Sequence, residues 1–134
     1  MPKSAPAPVR IVSFGYGHGD APDAHLTLDL RSHFRDPHVS PAMRELTAAH
    51  SLVRRTVLGT PGVKALLTAT VRAVQAYDAG PSARDTVVAV GCAGGRHRSA
   101  VAANVLARRL RRRGHAVTVE HRDLHLPVIA RRRG

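Results

Sequence analysis

Two hydrophobic periods alternate along this chain. VRIVSF (9–14) is a short, β-branched apolar run that stops at Gly15, and it predicts a strand. HLTLDLR (25–31) sets Leu26, Leu28 and Leu30 on one face and predicts a second strand. Residues 41–59 read as a helix, with Pro41 suited to the first turn and Gly59 to the stop. Residues 60–80 read as another, closed by Gly80. DTVVAVGC (85–92) is apolar on both faces, the pattern of a buried strand. Ser99–Arg113 predicts a helix stopped by Gly114, and 115–124 predicts a last strand.

The order is therefore β-β-α-α-β-α-β. A strand, tight loop, helix and strand across 85–119 is a crossover unit with parallel strands. The expected fold is a small single-domain α/β sandwich with a mostly parallel sheet. Pro/Ala-rich residues 1–8 are expected to be a disordered lead-in, with one domain over 9–134. The chain has 134 residues, enough for one core. It shows neither a secretory leader nor an apolar run long enough for a membrane span, so a soluble cytoplasmic protein is expected. A single cysteine excludes an intramolecular disulfide.

Charge changes this picture. The net charge is +12. From Arg96 onward, arginines face only Glu120 and Asp123, so most of the excess lies in the last third of the chain. Such asymmetry points to an anionic partner, commonly nucleic acid. Nearly all the cations are Arg and alanine is abundant, which matches GC-rich codon usage; that bias does not explain the shortage of acids. Aromatic residues are only Phe14, Tyr16, Phe34 and Tyr77, so RNA contacts would go to phosphate and shape rather than to stacked bases. ARRLRRRG (107–114) ends the predicted helix. Cations there complement the helix dipole, but Arg108, Arg109, Arg111, Arg112 and Arg113 exceed what capping needs. Together with Arg122, Arg131, Arg132 and Arg133 they are the candidate RNA-binding residues.

The candidate chemistry sits in GCAGGRHRS (91–99), between a predicted strand end and a predicted helix start. Open α/β sheets bind ligands at that position. Gly94 and Gly95 let the backbone turn so that several N–H groups converge on an anion. Arg96, His97 and Arg98 add donors, and an arginine can grip phosphate with two parallel bonds. The spacing of Cys92, Arg98 and Ser99 also fits the loop of protein tyrosine phosphatases. There Cys92 would attack phosphorus, Arg98 would clamp the phosphate, Ser99 would help the thiolate leave, and Asp36 or Asp20 would serve as acid. Cys92 equally fits a small buried residue ending a strand. Nine histidines include neither a HExxH pair nor a finger spacing, so no metal is expected. GTPGVK (59–64) is not a Walker A sequence, so ATP hydrolysis is not expected.

A broader resemblance covers about 110 residues. GCAGGRHRS resembles the GC-x-GG-x-HRS motif in the C-terminal domain of the RapZ (RNase adapter) family. SFGYGHGDAPDAHLTLDLR resembles that domain's opening strand, glycine loop and DVR strand. DPHVSP resembles its N-P-H-x-x-P loop, and HRDL (121–124) its HR-T-L segment. The resemblance implies a non-catalytic α/β adapter domain that senses a phosphorylated amino sugar and binds RNA. A phosphorylated small molecule, glucosamine 6-phosphate or a nucleotide, is the implied ligand, with no cofactor. Gly94, Gly95, His97, Arg98 and Ser99 would form the cradle, with His38, Gly15 and Gly19 beside it. The family's P-loop kinase-like domain has no counterpart in this sequence. A homo-oligomer is implied by the family habit of assembling.

Overall fold

The structure is a computed structural model, and it describes residues 5–34 and 46–126. In chain order its elements are β1 (Val9–Gly15), β2 (Leu26–Asp29), α1 (Ser51–Gly59), α2 (Val63–Asp78), β3 (Thr86–Cys92), α3 (Arg98–Arg112) and β4 (Val117–His121), with one 3₁₀ turn at Tyr16–His18. The order is the expected β-β-α-α-β-α-β. The four strands form one sheet in the order β2-β3-β1-β4. Every strand pair is parallel. β3 and β4 are parallel, as the crossover unit requires, and β1 lies between them.

Side-chain alternation gives the sheet two unlike faces. Val9 and Ile11 of β1, Val88, Val90 and Cys92 of β3, and flanking Leu26, Leu28, Val117 and Val119 point to the helices. Against them pack Leu67, Val71 and Val74 of α2 and Ala102, Ala103, Leu106, Ala107 and Leu110 of α3. The alanines let α3 lie close along the strands, and it touches β1, β3 and β4. A second cluster, Ala48, Val53, Val57, Ala100 and Val101, joins α1 to the start of α3.

The opposite face is polar at one end and aromatic at the other. Arg10 pairs with Glu120 across β1 and β4, with both side chains more than half exposed. An exposed pair of this kind contributes little stability. Toward the carboxyl ends of the strands, Phe14 and Tyr16 pack edge to face at 4.7 Å. They lie over Gly91, where a Cβ would come within 2.4 Å of the Phe14 ring and 2.6 Å of Tyr16.

One boundary differs from expectation. The helix predicted from residue 41 begins at Ser51, and residues 46–50 form turns and bends. His50 is extended, with φ −70° and ψ 133°, and its ring nitrogen accepts from the Leu52 amide at 3.1 Å. The Leu46 carbonyl, which a continuing helix would offer to His50, is taken by the His97 ring. The His50 amide turns back to Thr47 instead, at 3.0 Å. Ala7, placed in the lead-in by sequence, is fastened at both ends: its amide donates to Asp78 Oδ1 and its carbonyl meets His115 Nδ1, each at 2.9 Å.

Candidate functional site

Parallel strands bring the carboxyl ends of β1, β2, β3 and β4 to one edge of the sheet, and the candidate loops gather there. The 93–97 loop leaves β3 and enters α3. Gly95 takes φ +75°, a left-handed conformation that glycine adopts freely. Its α-carbon lies against β1: a Cβ there would sit 2.5 Å from the Gly15 nitrogen. The contact is reciprocal, because a Cβ on Gly15 would lie 2.4 Å from the Gly94 carbonyl carbon. The Gly17 amide donates to the Ala93 carbonyl at 3.0 Å. The two glycine-rich stretches singled out in the sequence are thus one structure, packed backbone on backbone.

The start of α3 is electrostatically unusual. Among the described residues no side chain caps it, and its first turn holds no acid. It holds Arg98 instead, with Arg96 just before it. The free N–H groups of a helix start carry a partial positive charge, and cations beside them are unfavourable. Arg98 is half-buried, and one of its N–H groups donates to the Leu30 carbonyl at 3.0 Å. Among the described residues its other donors have no partner. A Cβ on Gly94 would meet nothing within 4 Å among the described residues, so they leave the loop open there. This is a geometry suited to an oxyanion.

Cys92 and Ser99 sit below that surface. Cys92 is 3% exposed and Ser99 is fully buried. The thiol accepts from the Gly95 amide and donates to Ser99 Oγ, both at 3.2 Å. Gly95 and Ser99 therefore shape the loop from beneath, while Gly94, Arg96, His97 and Arg98 lie at its surface. His97 is half-buried with its Nε2 on the Leu46 carbonyl. Burial pushes its pKa down; the Leu46 bond opposes this, and Arg96 and Arg98 add to the depression.

Asp123 was not among the residues chosen from sequence, yet it holds the first loop. It is buried, and its Oδ2 accepts from the Gly15 amide at 2.7 Å. Burial raises its pKa, but Arg122, the Gly15 amide and His18 outweigh this and hold the carboxyl below its usual value. Arg31 was also missed. It lies 3.5 Å over the Tyr16 ring and is bound by Asp29 at 2.7 Å. The spacing of two in DLR was the available signal, since an aspartate side chain can accept from the backbone amide and side chain two residues on, as Asp29 does from Arg31.

The structure scatters the remaining candidates. Arg108, Arg111, Arg112 and Arg113 are exposed, and Arg109 donates to Thr68 of α2 at 3.2 Å. They end a helix of 15 residues that begins at the cradle. At ~1.5 Å per residue the two sites are roughly 20 Å apart. Arg122 follows β4 at the cradle end of the sheet, so it does not join the helix-end arginines in one basic surface. Asp20 lies in the exposed loop after the 3₁₀ turn, and its carbonyl accepts from Arg122. Gly19 is nearby, its carbonyl 3.5 Å from the same guanidinium. Asp36, His38, Arg131, Arg132 and Arg133 lie outside the described residues. Among the described residues, no group of three or more His, Cys, Asp or Glu could hold a metal, and no helix is long and apolar enough to cross a membrane.

Two histidines make stability depend on pH. Burial, then nearby His125, lowers the pKa of His121; burial and the adjacent arginines lower that of His97. The unfolded chain, with histidine near pH 6.5, then binds more protons than the folded one. Their contribution is present above about pH 6.5 and is lost as pH falls below it. The urea midpoint is expected to drop between about pH 7 and pH 5, and less so in His97→Gln and His121→Gln. A midpoint unchanged over that range would show that neither ring is held neutral.

Comparison with known proteins covers nearly the whole of the described chain. A family model described as the RapZ C-terminal domain matches residues 7–125. Among curated relatives, a nucleotide-binding protein of Salinispora tropica is 40% identical over 119 residues, covering 87% of this chain and 39% of the relative. One of Thermobifida fusca is 40% identical over 118 residues, covering 86% and 40%. One of Symbiobacterium thermophilum is 36% identical over 123 residues, covering 90% and 40%. The chain spans about two-fifths of the length of these relatives.

Proposed function

This chain belongs to the RapZ C-terminal domain family, and from that premise we propose that it is a non-catalytic domain that binds a phosphorylated small molecule at residues 94–99. The observation that carries the reading is the start of α3. A helix end with no side-chain cap among the described residues, flanked by Arg96 and Arg98 and with no acid in its first turn, favours an anion there. The relatives' printed name, nucleotide-binding protein, fits a phosphate-bearing ligand. The resemblance adds a sugar phosphate, glucosamine 6-phosphate, to the candidates. Burial of Cys92 favours a cradle over a nucleophile, because an attacking thiolate must reach phosphorus.

Isothermal titration with glucosamine 6-phosphate, glucosamine, a nucleoside monophosphate and inorganic phosphate tests this reading. Binding of at least one phosphate compound, with none of glucosamine, is the expected result. No binding of any phosphate compound would end the proposal.

RNA contact is the second part of the proposal, together with the family's role as an adapter that presents RNA. Charge distribution supports it. The three helices carry Arg54, Arg55, Lys64, Arg72 and the arginines of α3, and the only acid in them is Asp78. Glu120 and Asp29 lie on the opposite face of the sheet. Reversing Arg108, Arg112 and Arg113 to Glu is expected to weaken RNA binding and flatten its salt dependence, since each phosphate contact adds about 0.7–0.9 to the logarithmic slope. Unchanged affinity and slope would remove α3 from the RNA surface.

A further inference from the structure

Three consecutive residues, the last of β4 and the two that follow it, fasten the end of β1. The His121 ring bonds Ser13 Oγ through Nδ1 and, through Nε2, Asn104 Oδ1 of α3 at 3.0 Å. The Arg122 backbone amide donates to the Ser13 carbonyl at 2.9 Å. Asp123 accepts from the Gly15 amide, its side chain only 5% exposed. The Arg122 guanidinium then ties the first glycine loop to that carboxylate. It bonds Asp123 at 2.9–3.1 Å and donates to the Asp20 carbonyl at 2.6 Å. It reaches the Gly15 and Gly19 carbonyls at 3.5 Å, and its Cζ lies 5.2 Å from the Phe14 ring centre.

This clamp ends where the cradle begins. Gly15 has Asp123 on its amide and the Gly94–Gly95 backbone against its α-carbon. The latter contact is too tight for a Cβ, so a displacement of Gly15 must move residues 94–95 as well. Five N–H donors in a rigid planar fork let one arginine hold several carbonyls and a carboxylate at once in a fixed geometry. The buried carboxylate in turn requires its cation, since an unpaired charge there is costly.

We propose that Arg122 and Asp123 are positioning residues for the phosphate cradle. Neither touches the ligand; together they fix the first glycine loop, and that loop shapes residues 94–95. The inference rests on the phosphate reading of residues 94–99. It also gives Arg122 a role at the cradle, with its donors committed inside the domain.

The test uses Asp123→Asn, which keeps an acceptor for the Gly15 amide and removes the charge that holds the guanidinium. The double variant Arg122→Gln/Asp123→Asn accompanies it, because it leaves no unpaired buried charge and so keeps a foldable protein if the single variant fails. In the folded variant, affinity for inorganic phosphate is expected to fall about tenfold, the scale on which groups orienting a ligand shell act. Amide exchange at Gly95 is expected to speed up relative to the amides of β3. A folded variant with wild-type phosphate affinity and wild-type exchange at Gly95 would overturn the proposal. So would a lower urea midpoint with unchanged affinity, because that is the mark of a merely structural pair. Should the wild-type protein bind no phosphate, the cradle reading fails by itself, and exchange at Gly95 still decides whether the clamp positions the loop.

Discussion

Gly95→Ala is expected to cost about 3 kcal/mol or more of stability, from ~1–2 for the left-handed backbone and ~1–3 for overpacking. The backbone part arises because Gly95 has φ +75°. The packing part is harder to relieve than usual. The new methyl group would sit 2.5 Å from the Gly15 nitrogen and 2.7 Å from the Phe14 carbonyl carbon, and both are main-chain atoms. A side chain could rotate away; a strand held on both sides by β3 and β4 cannot. The urea midpoint measures the loss. Gly94→Ala is the matched control, since its methyl group would meet nothing within 4 Å, and it should leave the midpoint nearly unchanged. Equal midpoints for the two variants would mean that the glycine loops do not interlock.

That interlock also separates what the sequence makes legible from what it hides. Alternation at Leu26, Leu28 and Leu30 shows in the sequence because strand period acts residue by residue, and the burial pattern follows it. The strand–glycine–helix signal at 85–113 is equally local, and β3 and α3 stand within a residue or so of their expected bounds. The start of α1 is not legible, because it depends on a carbonyl of Leu46 captured by a ring 51 residues away. Asp123 and Gly15 are 108 residues apart, so HRDL reads in sequence as a polar strand end. Strand order is hidden for the same reason: β1 and β2 are consecutive in the chain, yet β3 lies between them. Local pattern specifies elements; the partners of Gly15, Arg122 and Leu46 are specified only when those elements assemble.

Arg98→Ala is expected to weaken phosphate binding roughly ten- to a hundredfold, since a charged hydrogen bond of ~1.5–3 kcal/mol is lost. Arg98→Lys should recover little of it, because a fork that grips two oxygens differs from a point charge. Loss of the bond to the Leu30 carbonyl adds about 1 kcal/mol of destabilisation, which the same samples report as a lower thermal midpoint. Cys92→Ser is the informative partner. Its hydroxyl can take over the bonds to the Gly95 amide and Ser99, so the loop keeps its shape. Phosphate binding that survives Cys92→Ser and fails in Arg98→Ala is the signature of a cradle. Phosphoester turnover by the wild type that vanishes in Cys92→Ser would instead make Cys92 the nucleophile and Arg98 its clamp. The burial of the thiol decides which to expect. At 3% exposure, with its donor and acceptor positions both engaged, Cys92 would have to leave two partners and come to the surface before it could meet phosphorus. Arg98 needs no such rearrangement, since among the described residues it has only the Leu30 carbonyl as a partner and it is half-buried rather than enclosed.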